Sequence, residues 1–303
     1  MIKYNSKYIK EGAVMRIDNS AWLTLFDNHF DKTKYLYHYT DVNKAFKIID
    51  GNSLKFSKTS SANDTLESKL KIDMNSIGKQ GQVNLLKWID AFNSNYSKNL
   101  QLLCFSMDKE ISLHGNNKCD IKTQLSDYSG RGFAMPRMWA QYANNNLGVC
   151  LVYEKEKLSK LIKQRLGSLL IQESEVLYKD QLFKYKFDEE TIQEILMLSH
   201  KNTLSTGFHI QCHGFLKTHE SFRLYNYFYK LDDWSGENEY RFLAFDEDDL
   251  FINNCNDALV GVIIGEKMDS TNERILCLLC DDLCEIKRIT FTISGCRLIN
   301  IRN

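Results

Sequence analysis

Strand-like segments at the two ends of the chain constrain the fold more than any other feature. Near the start, Tyr35-Leu36-Tyr37-His38-Tyr39-Thr40 is dense in aromatic residues. In the last third, residues 239–245, 259–264, 288–292 and 297–301 have strand composition, while 155–230 reads mostly as helix by its periodicity. A lone strand leaves its backbone polar groups unpaired. The early and late strands are therefore expected to share one sheet, with the helical stretch inserted between them. No Pro-, Gly- or Ser-rich linker divides the chain, and its single proline, Pro136, lies inside an ordered-looking segment. The sequence thus predicts one α+β domain over 1–303. It comprises an N-terminal helical extension (1–34), a first half of the core (35–153), a helical insertion (155–230) and C-terminal core strands (231–303).

Local signals fill in that outline. Residues 18–30 carry Trp22, Leu25, Phe26 and Phe30 at helical spacing. Asp41 is placed to cap a short helix, Val42 to Asp50, that ends at Gly51. Leu54 to Ser57 reads as a second strand followed by a polar loop to Asp64, and a helix is predicted over 83–99 before a strand from Leu102 to Ser106. The loop after Ser106 runs for about twenty-five residues, long enough to suggest a function. Pro136 suits the first turn of a helix over 137–144, a strand follows at 148–153, and a late helix is expected at 272–284.

Bulk properties narrow the function classes. Lys plus Arg equals Asp plus Glu at 39 each, so no long-range field draws the molecule to nucleic acid or anionic membrane. Neither a secretory leader nor a window near the roughly 20 apolar residues of a membrane span is evident. The nine cysteines are odd in number and mostly lie in apolar runs, as expected of thiols in a reducing compartment. The expectation is a soluble cytoplasmic protein with no membrane association.

Four constellations could carry chemistry. His38 ends an early strand beside Tyr37, Tyr39 and Thr40, where a neutral imidazole can bond a sugar hydroxyl or move a proton. The same position equally suits a half-buried histidine satisfied by a backbone carbonyl. Glu237 and Glu239 open a late strand two residues apart. Their repulsion could raise one pKa for acid/base work or for stabilising a cation, or one of them could simply pair with Arg241. Trp139 and Tyr142 share a helix face and could stack on a planar ring, although core packing is the commoner fate of such a stripe, above all for Trp139. Asn63, Asp64 and Glu67 could bind a ribose or cap a helix beginning at Thr65.

Metal chemistry is not expected. Cys277, Cys280 and Cys284 lie at helical spacing in a leucine-rich run with no second ligand cluster. His209, Cys212, His213 and His219 lack the adjoining glutamate of a metalloprotease helix. Glycine-rich phosphate loops and a Gly-x-Ser-x-Gly elbow are missing too.

In chain order, Leu36-Tyr-His-Tyr-Thr40, Leu54-Lys-Phe-Ser57 with Asn63-Asp64, Leu103-Cys-Phe-Ser106, Met138-Trp-Ala-Gln-Tyr142 with Gly148-Val-Cys150, Glu237-Asn-Glu-Tyr-Arg241 and Gly261-Val-Ile-Ile-Gly265 resemble the bacterial domain-of-unknown-function 2971 family. An early strand with Tyr-His-x-Thr, a short helix, a strand ending in Phe-Ser and a late strand opening with Glu also resemble, more distantly, the His-Tyr-Glu layout of ADP-ribosyltransferase-like folds.

That second resemblance implies a split mixed β-sheet gripping NAD as substrate, with His38 on a ribose hydroxyl and Glu239 or Glu237 stabilising the oxocarbenium ion. It implies Tyr142 or Tyr39 stacked on nicotinamide, Ser57 in the second motif position where many such enzymes have tyrosine, and Arg241 or Lys55 near the pyrophosphate. Thr40, Asn63, Asp64 and Trp139 complete the candidate NAD-binding set. The implied activity is cleavage of NAD and transfer of ADP-ribose to an unidentified acceptor, in a bacterial toxin or phage-defence effector. A non-catalytic nucleotide- or partner-binding module and a nuclease or hydrolase are the alternatives. Glu239 is favoured over Glu237 because the apolar strand that follows would hold it rigidly.

Overall fold

Alternation along β1 (Tyr35–Thr40) sends Tyr35, Tyr37 and Tyr39 into one apolar cluster and Leu36 into another, so the strand is buried on both faces. The computed structural model describes residues 33–64, 66, 69–73, 79–109, 128, 130–181, 184–199, 206–293 and 295–301. The chain continues through α1 (Val42–Asp50), β2 (Ser53–Lys55), β3 (Ser57–Lys58), α2 (Lys79–Ala91), β4 (Leu100–Ser106), α3 (Pro136–Gln141) and β5 (Val149–Glu154). Next come α4 (Lys155–Leu166), β6 (Leu170–Glu175), β7 (Leu177–Lys179), α5 (Glu189–Ser199), α6 (Thr206–Thr218), α7 (Glu220–Tyr227) and β8 (Tyr229–Leu231). The last part holds β9 (Glu239–Phe245), β10 (Phe251–Asn253), β11 (Leu259–Ile264), α8 (Ser270–Cys280), β12 (Glu285–Thr292) and β13 (Gly295–Asn300).

The architecture is α+β around a large mixed sheet. Among the described residues the strand order is β13-β12-β11-β5-β1-β4-β9-β6, with β3 added beside β4. Early and late strands do share it, through the antiparallel pairs β4–β9 and β5–β11, and β11–β12 supplies a parallel pair. Helices α1, α4 and α8 cover one face with Ala45, Ile49, Leu158, Ile162, Leu276 and Cys280. The opposite face carries two separate clusters. One gathers Trp88, Phe92, Phe215 and Phe222 from the helices over Leu100, Leu102 and Leu243, and the other gathers Phe133 and Trp139 over Tyr37, Tyr39 and Ile263. Polar side chains occupy the strand ends between those two clusters.

Several boundaries differ from the sequence reading, each for a physical reason. Within 155–230, read as mostly helical with interruptions near 175–178 and 205–207, the first interruption is wider: β6 pairs with β9 at the sheet edge and β7 pairs with β8. These are non-local ladders that periodicity cannot register. The expected strand from Leu54 to Ser57 divides at Phe56, which is fully buried and donates its N–H to the Leu250 carbonyl. As a result β2 pairs with β10, whereas β3 pairs with β4. The helix expected over 83–99 is regular in α2, then loosens at Phe92–Tyr96 and tightens at Ser97–Asn99. Asp64 accepts the Leu66 N–H at 2.8 Å in a turn, while the proposed helix start at Thr65, Glu67 and the N-terminal helix at 18–30 lie outside the described residues. Asp41 caps α1 by accepting the Lys44 N–H at 2.9 Å, a contact worth about 1 kcal/mol.

Two close approaches fix the elements around the site. A Cβ on Gly132 would stand 2.2 Å from the Tyr37 ring, so only glycine lets the chain before α3 pack on β1. Asn144, Asn145 and Asn146 all have left-handed backbones (φ 46°, 58° and 68°), which turns the chain sharply between α3 and β5.

Candidate functional site

β4 meets β9 along its whole length, but its other edge is shared. β1 touches that edge at one register pair, Tyr37 with Ser106, and β3 takes it at Gln101 and Leu102. Between these points the sheet is parted, and a cavity of about 230 Å³ opens there. Polar residues concentrate at this place because the alternation along β4 and β9 changes character. On the face that begins with Leu100, Leu102 and Leu243, the strands continue with Cys104 opposite Arg241 and Ser106 opposite Glu239.

His38 stands at the parting. Its Nδ1 lies 3.2 Å from the Cys104 carbonyl oxygen and its ring 5.5 Å from that of Phe105, so the side chain supplies the donor that the diverging β1 backbone does not. Burial lowers its pKa, against the bond to Cys104, and Lys44 lowers it further. The neutral ring donates through Nδ1 and leaves Nε2 as an acceptor. Both readings of this residue hold geometrically: a backbone carbonyl satisfies it, and it lines the cavity while remaining half-buried.

Four charged side chains form a network in the cavity wall. Glu237 closes a short turn, Asn238 adopts a left-handed backbone (φ 43°), and Glu239 opens β9. The Asn238 amide donates to the Met107 and Asp108 carbonyls at 2.8 and 3.1 Å, which locks this reversal. Both carboxylates then reach Lys230 Nζ, at 2.7 Å for Glu237 and 3.0 Å for Glu239. Arg241 grips Glu239 through two bonds of 2.7 and 2.8 Å, and its third arm donates to the Tyr227 carbonyl at 2.8 Å. The Tyr142 hydroxyl donates to Glu237 at 2.5 Å, and Lys230 also sits 5.0 Å from the Trp234 ring centroid.

The pKa of Glu239 is lowered, not raised as repulsion between neighbouring carboxylates would have it. Burial alone would raise Glu239, but the Arg241 and Lys230 charges and the Arg241 hydrogen bonds outweigh it and hold the carboxyl at about 2. Burial and the bond to Glu237 push the Tyr142 phenol up, so it stays a donor.

The candidate residues therefore fall into two groups. His38, Tyr39, Ser57, Asn63, Asp64, Tyr142, Glu237, Glu239 and Arg241 all line the cavity. Trp139 does not: it is fully buried, gives its indole N–H to the Phe133 carbonyl at 2.7 Å and packs against Tyr39, so no face is left for a ligand. Thr40 is likewise buried outside the lining. Tyr39 reaches the cavity only marginally, since its hydroxyl donates to the Gly132 carbonyl at 2.7 Å and it is 7% exposed. The two cations expected at a pyrophosphate are committed elsewhere, Arg241 to Glu239 and Lys55 to Asp249 at 2.6 Å. Lys58 lines the cavity as Arg241 and Lys55 do, but it donates to the neutral carbonyls of Asp246 and Glu247.

Sequence reasoning missed Lys230, Cys104 and Ser106. Lys230 sat in a stretch read as helix, and only the β7–β8 ladder brings it under the two glutamates. Cys104 and Ser106 were legible in principle, as the small polar positions where the alternation of β4 stops being leucine. His209 and His213 are engaged with Glu247 and Tyr96, and Cys280 and Cys284 are buried free thiols. Among the described residues no group of three or more His, Cys, Asp or Glu is arranged to hold a metal ion, and no helix is long and apolar enough to cross a membrane.

Residues 138–242 match the family model described as a protein of unknown function, DUF2971. That stretch holds Tyr142, Lys230, Glu237, Glu239 and Arg241, the carboxylate side of the cavity, while His38 and β4 lie outside it. No curated protein and no solved structure matches the chain.

Proposed function

We propose that the parted sheet binds NAD and that the protein cleaves its nicotinamide–ribose bond, passing ADP-ribose to an acceptor. The observation that carries this reading is that a neutral His38 and a buried, ionised Glu239 line the same cavity. As the glycosidic bond breaks, nicotinamide leaves with the bonding electron pair and positive charge develops on the ribose. A fixed carboxylate with a pKa of about 2 is always ionised at neutral pH and stabilises that charge without reorganising. His38 Nε2 accepts from a ribose hydroxyl, and the ring of Tyr142 offers a face to nicotinamide. Arg241 and Lys230 position Glu239 rather than hold the pyrophosphate. Lys58 is better disposed for phosphate, at the mouth with Ser57 and Asn63.

Size limits the pose. A cavity of about 230 Å³ is below the roughly 300–1,000 Å³ of ordinary small-molecule pockets, so it takes the nicotinamide riboside end while the rest of the dinucleotide runs along the mouth. On this reading the sheet is of the ADP-ribosyltransferase-like split type, and the setting is that of a bacterial toxin or anti-phage effector. Incubation with NAD should release nicotinamide, and Glu239→Gln should slow release by about 100-fold or more. Wild-type release by that variant, with its fold intact by circular dichroism, would sink the mechanism.

One observation favours a second reading, a nucleotide-binding module without catalysis. The two carboxylates and two cations satisfy one another, as in a site that need only hold its shape. That module would be stabilised by nucleotide, release no nicotinamide and keep its binding in Glu239→Gln.

A further inference from the structure

Ser106 ends β4, directly across the ladder from Glu239 and at the single register pair that joins β4 to β1. It is 1% exposed, and its hydroxyl oxygen has no hydrogen-bond partner among the described residues. Thr59, comparably buried at 3%, shows the ordinary solution by donating to the Ser97 carbonyl at 3.4 Å. Among the described residues that carry a buried side-chain polar atom without a partner, Ser106 is the one that lines the cleft. A buried hydroxyl without a protein partner destabilises the folded chain, and an alanine would fit the same space without that penalty. Such a group makes physical sense where a ligand completes it.

We infer that Ser106 is a substrate-contacting residue, whose hydroxyl bonds a hydroxyl of the sugar seated beside Glu239. This deepens the NAD reading and rests on it. The chemistry selected is a hydroxylated ring rather than a flat base, because the position lies at the closed end of the parting. The neighbouring charges of Glu239, Arg241 and Lys230 are already paired there, leaving hydrogen bonding as the remaining means of recognition. A ligand lacking the sugar hydroxyl would leave Ser106 unsatisfied in the complex, a source of discrimination.

The test is Ser106→Ala, with Thr59→Ala beside it, read by thermal unfolding and by calorimetric titration with NAD and with nicotinamide riboside. Removing an unsatisfied hydroxyl should leave the melting temperature of Ser106→Ala unchanged or raised, while Thr59→Ala melts lower. Affinity of Ser106→Ala for both probes should fall by about five- to tenfold. If Ser106→Ala melts lower and binds as the wild type does, the hydroxyl is structural and the inference fails alone. If the wild type binds neither probe, the NAD reading fails and takes this inference with it.

Discussion

Two buried ion networks meet at the end of β4, and they are built to different ends. In the first, Asp108 pairs with Arg131 at 3.1 Å and accepts the Gly132 N–H at 2.7 Å, while Arg131 also donates to the Tyr37 hydroxyl at 3.1 Å. Both charged side chains are 1% exposed and neither lines the cleft. In the second, Lys230, Glu237, Glu239 and Arg241 are almost as deeply buried but line the cavity. Asn238 links the two, with its amide on the Asp108 carbonyl and with Glu237 and Glu239 on either side of it in sequence. The pKa of each acid shifts accordingly. Burial wins over the single cation at Asp108 and raises its pKa, whereas Arg241 and Lys230 together overcome burial at Glu239. The lesson is that burial of charge does not by itself mark a working site. A sealed pair pins the chain before α3 onto β1, while a network opened onto a cleft holds one carboxylate ionised in the cavity wall.

Breaking the sealed pair should have the largest effect on stability. Arg131→Met leaves the Asp108 carboxylate buried and uncompensated, and urea denaturation should show a loss of about 3–5 kcal/mol. Ligand affinity per folded molecule should not change. A loss below 1 kcal/mol would mean that the pair is solvated and that the contrast is misdrawn.

Acid should separate the networks by sign. The folded pKa of Glu239, about 2, lies below its ordinary value, so its stabilisation is complete above the usual carboxylate range and is lost as pH falls through 4.5 toward 2. Asp108 acts in the opposite sense: its raised pKa favours the folded state at acid pH, and that contribution is lost as pH rises through the folded value. Glu239→Gln should therefore flatten the acid limb of the stability profile, and Asp108→Asn should steepen it. Parallel acid limbs in the three proteins would contradict the assignment.

The smallest expected effect lies at the rim of the open network. Tyr142→Phe removes the hydrogen bond to Glu237 from a half-buried phenol and should destabilise by about 1 kcal/mol. Nicotinamide release should weaken mainly through KM, because the ring face remains. A thousandfold fall in kcat would instead make the phenol a proton donor in the reaction.

Much of this contrast was hidden in the sequence. Strand β9 and strand β11 were legible to the residue, because each is rich in apolar and aromatic residues and bounded by turn signals. Helix α1 was equally clear from Asp41 at one end and Gly51 at the other. Among site residues, His38, Glu237, Glu239 and Tyr142 stood out as polar or aromatic groups next to apolar strands. Lys230 could not, since what defines it is a two-strand ladder formed within a stretch that looks helical. The sealed pair was invisible for a similar reason, as the distance in sequence between Asp108 and Arg131 says nothing of where the chain returns. Trp139 and Tyr142 share a helix face in sequence, yet the first faces a core cluster and the second the cleft.

The central claim is that the open network, not the sealed one, performs chemistry on NAD. Nicotinamide release should be measured for the wild type, Glu239→Gln and Arg131→Met, at a temperature where all three are folded. The account predicts release by the wild type and, per folded molecule, by Arg131→Met, with a fall of about 100-fold or more in Glu239→Gln. Release by Glu239→Gln at the wild-type rate, or a fall confined to Arg131→Met, would contradict it.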